Sequence, residues 1–207
     1  MAQITTGFRA IFSHPAVYNL AQRAVGAERA RRMLVRDYFP PMQGKSILDI
    51  GCGTAEILRH LPEEMRYSGF DASEAYIDKA RLEFGQRGDF RAELVSEATL
   101  DGMAQFDVVL AFGLLHHLDD DDAVSLFRLA AHALKPDGML ITMDPVFAPG
   151  QNPLGRWLIS RDRGRSVRSP EAYHALARSS FPLVNHHLRH DMLNIPYSHS
   201  IMQCTLR

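Results

Sequence analysis

The sequence predicts an α/β fold: a doubly wound, mostly parallel sheet with helices on both faces. Three observations predict it. The run Ile47 to Ile50, apolar except for Asp49, has the length of a buried strand, stops at Gly51-Cys52-Gly53 and is followed by the helix-compatible segment Ala55 to Leu61. From Gly44 onward, strand and helix patterns alternate, as they do when crossover helices join parallel strands. Phe106 to Phe112 is almost continuously apolar, which suits a strand covered on both faces.

The elements follow in order. Residues 1 to 13 carry no clear pattern. Pro15 can open a helix, and Val17, Leu20, Ala21 and Ala24 recur at helical spacing. After Gly26 the pattern resumes from Ala27 to Phe39, with Met33, Leu34 and Tyr38 apolar and Arg29, Arg31, Arg32 and Arg36 on a solvated face; Pro40-Pro41 ends it. Residues 1–41 are expected to form a helical lid from which Arg9 and Tyr18 reach a ligand. Arg66 to Phe70 reads as the second strand. Ser73 reads as the N-cap of a helix to Phe84, with Ile77, Ala80 and Phe84 on one face. Phe90 to Val95 is expected as the third strand and Phe106 to Phe112 as the fourth. The acids Asp119 to Asp122 suit the positive end of a helix running from Ala123 to Leu134. Pro136-Asp137-Gly138 reads as a turn before a fifth strand, Met139 to Met143. Asp144 to Arg168 has no period and reads as a long functional or mobile loop. Ser169-Pro170-Glu171 opens a helix that continues to Ser180, and Leu183 to Leu193 and His199 to Leu206 read as two strands.

The chain's 207 residues suit one domain, with residues 44–145 as its core and 146–207 as a loop, a helix and closing strands. A net charge of −1 provides no global field toward nucleic acid or a membrane surface. The apolar runs are far too short to span a bilayer, and the first thirteen residues lack a signal-peptide pattern. Two cysteines, Cys52 and Cys204, fit a reducing, cytoplasmic setting, and Cys52 in the glycine turn reads as a small filler.

A strand, a glycine turn and a helix bring backbone close to a nucleotide-like ligand, because a Cβ would block the approach. Asp49 is expected at the end of the first strand. Asp71, twenty positions past Gly51 at the end of the second strand, is placed to accept hydrogen bonds from ribose hydroxyls.

Four stretches together resemble the class I S-adenosylmethionine-dependent methyltransferases: Leu48-Asp49-Ile50-Gly51-Cys52-Gly53-Thr54, Gly69-Phe70-Asp71-Ala72-Ser73, Phe106 through Leu118, and Leu134-Lys135-Pro136-Asp137-Gly138-Met139-Leu140. They occur in family order and spacing over roughly residues 44–145. Ala55 replaces a third glycine often found in the first motif, a change expected to need little accommodation. The resemblance implies seven strands closed by an antiparallel C-terminal edge pair. It also implies S-adenosylmethionine as cofactor and S-adenosylhomocysteine as product. Asp49, Gly51, Cys52 and Gly53 would line the methionine side, Asp71 would hold the ribose, Ala72 would lie near the adenine, and Ser96 and Glu97 would edge it. Phe112, Gly113, Leu114 and His117 would flank the cofactor after the fourth strand.

Methyl transfer from a sulfonium needs positioning and, for some acceptors, a base. His116 and His117 are the candidate general bases, since histidine titrates near neutral pH. Arg156, Arg161, Arg163, Arg165 and Arg168, offset by Asp162 alone, form a basic loop that suits an anionic small substrate, with Arg161, Arg163, Arg165 and Tyr18 as its contacts; the bland alternative is a solvated loop pairing with nearby acids. His186, His187, His190 and His199 lack a usual metal-ligand spacing, so no metal is expected. Two other readings stay open: a non-catalytic S-adenosylmethionine-binding sensor or partner subunit, and an NAD-dependent oxidoreductase. The second is disfavoured by Glu56, which stands where a dinucleotide fingerprint has glycine. Acceptor identity, the methylated atom and the oligomeric state are not written in these motifs.

Overall fold

The computed structural model describes residues 26–161 and 164–207. Helix α1 (Ala27–Tyr38) buries Ala30, Met33, Leu34 and Tyr38, the apolar stripe of its sequence. It starts at Gly26, whose φ of 86° is left-handed and whose missing Cβ leaves room for the Asn194 side chain. Then follow β1 (Ser46–Ile50), a 3-10 turn over Glu56–His60, β2 (Arg66–Phe70), α2 (Glu74–Phe84), β3 (Asp89–Arg91), α3 (Glu97–Leu100) and β4 (Phe106–Phe112). A second 3-10 turn, Leu115–His117, leads to α4 (Asp120–Ala133), β5 (Leu134–Pro145), α5 (Pro153–Ser160), α6 (Pro170–Arg178), β6 (Leu183–Arg189) and β7 (His199–Thr205).

The strands form one seven-stranded sheet in the order β3-β2-β1-β4-β5-β7-β6. β1 to β5 pair in parallel, and β7 pairs antiparallel with both β5 and β6. The doubly wound sheet with its antiparallel edge pair is the fold the sequence implied. Order reverses at β1, between β2 and β4, and in sheets of this kind the crevice that holds a ligand lies beyond the carboxyl ends of the strands at such a point. Both faces of the sheet are covered. Leu48, Ile50, Val109 and Ala111 pack with Phe127, Tyr173 and Phe181 on one side. Ile47, Tyr67, Val108 and Leu110 pack with Leu34, Leu58 and Ile77 on the other. At the opposite end of the strands, Asp107 accepts from the Ser46 amide and hydroxyl and from Lys135, tying β1, β4 and β5.

Several boundaries differ from expectation, each for a local reason. The third strand pairs through only three residues, because the chain leaves the sheet after Arg91 and Ser96 caps α3. The segment after the glycine turn closes as a 3-10 turn, not an α-helix. Pro136-Asp137-Gly138 lies within the span of β5: Phe106 pairs with Leu134 and Val108 with Met139, so the intervening residues bulge out. Gly138 permits this because a Cβ there would meet the Phe106 carbonyl and Leu134. β6 stops at Arg189, four residues short of the expected end. The stretch Asp144 to Arg168 is not a structureless loop. Asn152 caps α5 by accepting from the Leu154 and Gly155 amides, with Pro153 in the first turn, and Val146 bridges to Arg168. On α1, Arg29, Arg32 and Arg36 are exposed as expected, while Arg31 is half-buried. The part of the expected lid before residue 26, with Arg9 and Tyr18, lies outside the described residues. Among the described residues no helix is long and apolar enough to cross a membrane.

Candidate functional site

The crevice is built around the turn that follows β1. Gly51 and Gly53 have φ values of 77° and 55°, the left-handed region that a side chain disfavours. The Gly51 and Cys52 amides both donate to the Phe70 carbonyl, at 2.7 and 3.0 Å, which fixes the turn to the end of β2. A Cβ on Gly51 would press on the Leu114 side chain at 3.3 Å, so the glycine lets the segments after β1 and β4 approach each other. Ala55 also has a left-handed φ of 55°. The alanine in the third-glycine position therefore needs more accommodation than the sequence suggested, because the backbone takes a glycine-like conformation.

Asp71 follows β2. Its Oδ2 accepts from the Gly53 amide at 2.9 Å and its Oδ1 from the Ser73 amide at 2.8 Å. It clasps the turn to the start of α2, an ordering role that the sequence reading did not contain. Asp49 is not at the end of its strand but inside β1, at 2% exposure. Tyr67 donates its phenol to Asp49 Oδ2 at 2.5 Å, while Asp49 Oδ1 is buried with no partner among the described residues. Burial pushes the Asp49 carboxyl up to about 7; the Tyr67 hydrogen bond opposes this, Asp71 adds to it, and Arg31 on α1 pulls it back. Burial and the same two carboxylates push the Cys52 thiol far above its ordinary range, so it is protonated and inert, as a filler should be.

On the other side of the crevice, half-buried Phe112 ends β4, and Gly113, at φ 65°, donates its amide to the Met143 carbonyl. Leu114 faces Gly51. His116 is 6% exposed; its backbone amide donates to Asp144 Oδ1 at 3.1 Å, and its Nδ1 pairs with the same oxygen at 2.8 Å. Asp144, near the end of β5, is 1% exposed, and its Oδ2 is buried without a partner among the described residues. The His117 ring is exposed and packs on His116, with centroids 4.0 Å apart. Gly164 lies directly against the His116 ring and carbonyl, where a Cβ would not fit, and the Ser166 amide donates to the His116 carbonyl.

The two sequence-expected histidines thus have different environments. His116 is buried and held by a carboxylate, whereas His117 is exposed. Ala72 is exposed beside Asp71. Ser96 spends its hydroxyl accepting from the Thr99 amide, and Glu97 lies 3.9 Å from Arg128 on α4; these interactions belong to a helix cap and a helix surface. The basic loop divides. Arg168 is structural: its buried guanidinium donates to the Leu115, Leu118 and Ser166 carbonyls and to Asp120. Arg156 lies over Phe147 and Arg161 over Trp157, and both arginines, like Arg165, are exposed. Arg163 and Tyr18 lie outside the described residues. The C-terminal histidines have local partners: His186 pairs with Ser200 and His190 with Ser198, while the His187 ring meets Tyr38.

Sequence reasoning missed Asp144, Tyr67 and Arg31. For Asp144 a signal existed, since an acid at the carboxyl end of a parallel strand is the pattern that singled out Asp71. For Tyr67 and Arg31 there was none, because their roles depend on which strand and which helix face lie next to β1.

The two glycines with left-handed backbone, the orphaned Asp49 oxygen and the Asp71 carboxylate suit a ligand that carries a cationic amine and a ribose. The paired carboxylates are ill suited to a pyrophosphate.

Comparison with known proteins bears on the family and the fold. A family model described as a methyltransferase domain matches residues 48–140. The ubiquinone biosynthesis O-methyltransferase of Chelativorans sp. (strain BNC1) is 33% identical over 151 residues, covering 66% of this chain and 58% of that one. The chain spans about half the length of the curated relatives it matches. The S-adenosylmethionine-dependent methyltransferase SibL, in its apo form, superposes with a TM-score of 0.72 at 17% identity, over 95% of this chain and 61% of that one. The plantazolicin methyltransferase BamL, in complex with a triazolic desmethylPZN analog and SAH, superposes with a TM-score of 0.67 at 14% identity, over 96% and 94%. At these identities the two structures speak for the fold.

Proposed function

We propose that this chain is a class I S-adenosylmethionine-dependent methyltransferase and transfers a methyl group from S-adenosylmethionine to a hydroxyl of a small, anionic acceptor. The observation that carries the reading is the clasp between the glycine turn and Asp71 at the carboxyl ends of β1 and β2. When bound, S-adenosylmethionine supplies an activated methyl group on a sulfonium sulfur. Gly51 to Gly53 give that cofactor a close backbone approach, Asp49 faces its amino group, and Asp71 takes its ribose. Phe112 to Leu114 close the far side of the crevice.

The chain's own chemistry then lies in His116. Asp144 holds Nδ1, which leaves Nε2 as the basic nitrogen, and it stabilises the imidazolium that forms when His116 accepts the acceptor's hydroxyl proton. The choice of a hydroxyl as acceptor draws on the relative, an O-methyltransferase by name. Exposed Arg161 and Arg165 are placed on the loop that packs against His116 and give it affinity for an anionic group. With both cysteines free, the reading extends to a reducing, cytoplasmic setting. A net charge of −1 favours a metabolite over a nucleic acid.

The test is calorimetric titration with S-adenosylmethionine, S-adenosylhomocysteine and NAD, followed by a screen of phenolic and carboxylate acceptors. Binding of the first two ligands and methylation of a hydroxyl are expected. Binding of NAD alone, or of none of the three, overturns the reading. Binding without turnover on any acceptor favours a non-catalytic cofactor-binding protein.

A further inference from the structure

We propose, resting on the functional reading above, that Tyr67 is a positioning residue for the cofactor. Its phenol holds Asp49 by one oxygen and keeps the other, buried and without a partner among the described residues, for a cationic group at the glycine turn, so that the cofactor's cation and a proton compete for it.

The geometry begins with register. Tyr67 lies beside Ile47 and Gly69 beside Asp49 in the parallel pair of β1 and β2. Side chains two residues apart share a face, so Tyr67 must lean along the strand to reach Asp49. Gly69 makes the lean possible: a Cβ there would meet the Tyr67 ring and the Cys52 sulfur, each at 2.9 Å. The ring is then held from the other side, since a Cβ on Gly88 would also meet it at 2.9 Å and Phe90 packs 5.7 Å from its centroid. Tyr67 is 3% exposed and has little freedom to leave Asp49. One Asp49 oxygen is thereby satisfied while the other, equally buried, has no partner among the described residues. A buried acceptor of that kind is costly unless it carries a proton or meets a cation.

Tyr67 on β2 bonds Asp49, and the other titratable groups that act on it through space are Cys52 in the turn, Asp71 beyond β2 and Arg31 on α1; its β4 neighbour, Leu110, carries no charge. Burial sets the carboxyl near 7, and both Tyr67 and Arg31 act against it. Asp49 is therefore partly protonated near neutrality in the free protein. A cationic amine brought beside it favours the ionised form, and linkage makes cofactor affinity depend on pH.

The experiment titrates the intact chain with S-adenosylmethionine in two buffers of different ionisation enthalpy, across about two pH units either side of neutrality. Near pH 7, release of roughly half a proton per cofactor is expected, and affinity should fall by about tenfold per pH unit on the acid side. Asp49→Asn should abolish the release. Tyr67→Phe should move the affinity profile to higher pH, because the lost hydrogen bond was holding the carboxyl down, and should leave affinity on the alkaline side nearly unchanged. A merely structural tyrosine would weaken binding equally at every pH, and that outcome overturns the proposal. Cofactor binding without proton release in the wild-type chain also overturns it, whether or not the variants fold, and leaves the methyltransferase reading standing. No binding at any pH overturns both.

Discussion

Ala55 shows how a residue can stand in an unfavourable backbone conformation. A left-handed φ costs an L-residue about 1–2 kcal/mol. Against this, its methyl is buried in the core on the α1 side of the sheet, which returns about 0.8 kcal/mol, and alanine loses less chain entropy on folding than glycine by roughly 0.5–1 kcal/mol. These terms nearly cancel. Ala55→Gly is expected to change unfolding free energy by less than about 1 kcal/mol, whereas Ala55→Val, β-branched at this φ, should cost more than about 3 kcal/mol; urea unfolding of the two variants measures both. At His116 the expectation is kinetic. His116→Gln should reduce turnover by roughly 10²–10⁴-fold while leaving cofactor affinity in place, and Asp144→Asn should reduce it less, since the imidazole survives without its orienting charge. Parallel turnover and cofactor titrations on both variants decide this, and an unchanged rate in His116→Gln would remove the base from the mechanism.

The segment from Val146 to Arg168 is where isolated residues become an element. Arg168 ties the 3-10 turn at Leu115–His117, the start of α4 and its own loop together through one guanidinium. Its removal would strip three part-buried carbonyls and Asp120 of a charged donor, so Arg168→Ala is expected to destabilise the chain by about 2–4 kcal/mol. Arg168→Lys should not restore the loss, because an ammonium cannot reproduce the planar fork. Denaturant midpoints of the two variants test this. Arg161 and Arg165, exposed on the same element, carry the proposed contact with the acceptor. With both changed to Ala, the KM for an anionic acceptor should rise about tenfold, the worth of one charge-assisted contact, while cofactor affinity stays unchanged. Trp157, the chain's sole tryptophan, lies under Arg161 and gives a direct signal: its fluorescence should respond to acceptor in the wild-type chain and lose that response in the double variant.

For the whole molecule, two sets of carboxylates pull stability in opposite directions with pH. Asp49 has a raised folded pKa, so its contribution is most favourable below about pH 4 and is lost as pH rises toward about 7. Asp107 sits where burial is outweighed by Lys135 and Ser46, and Asp37 beside Arg36 and Arg189; both carboxyls are lowered to about 2, so their contributions are present above pH 4 and lost as pH falls toward 2. The cofactor-free chain should therefore be most stable in the mildly acidic range. Asp49→Asn should flatten the decline on the neutral side, by up to a few kcal/mol, and leave the acid limb intact. Unfolding free energies measured across pH would contradict this if the variant declined in parallel with the wild type.

The sequence by itself determined the α/β class, the glycine turn and the acid that follows the second strand. It also gave the caps at Ser73 and Ser169, because each is a local pattern: a run of apolar residues, a residue that tolerates left-handed φ, a hydroxyl one position before a helix. The turn inside β5, the short third strand and the helix within residues 144–168 were not read from it, although Asn152-Pro153 carried a start signal for that helix. Only the tertiary structure decided which histidine is held by a carboxylate, that Arg168 is a brace, that Tyr67 bonds Asp49 and that Arg31 acts on it through space. Those facts depend on strand order and register, which join residues 18 to 50 positions apart, and an ionisable group's role is set by the neighbours it meets there and by the water it loses.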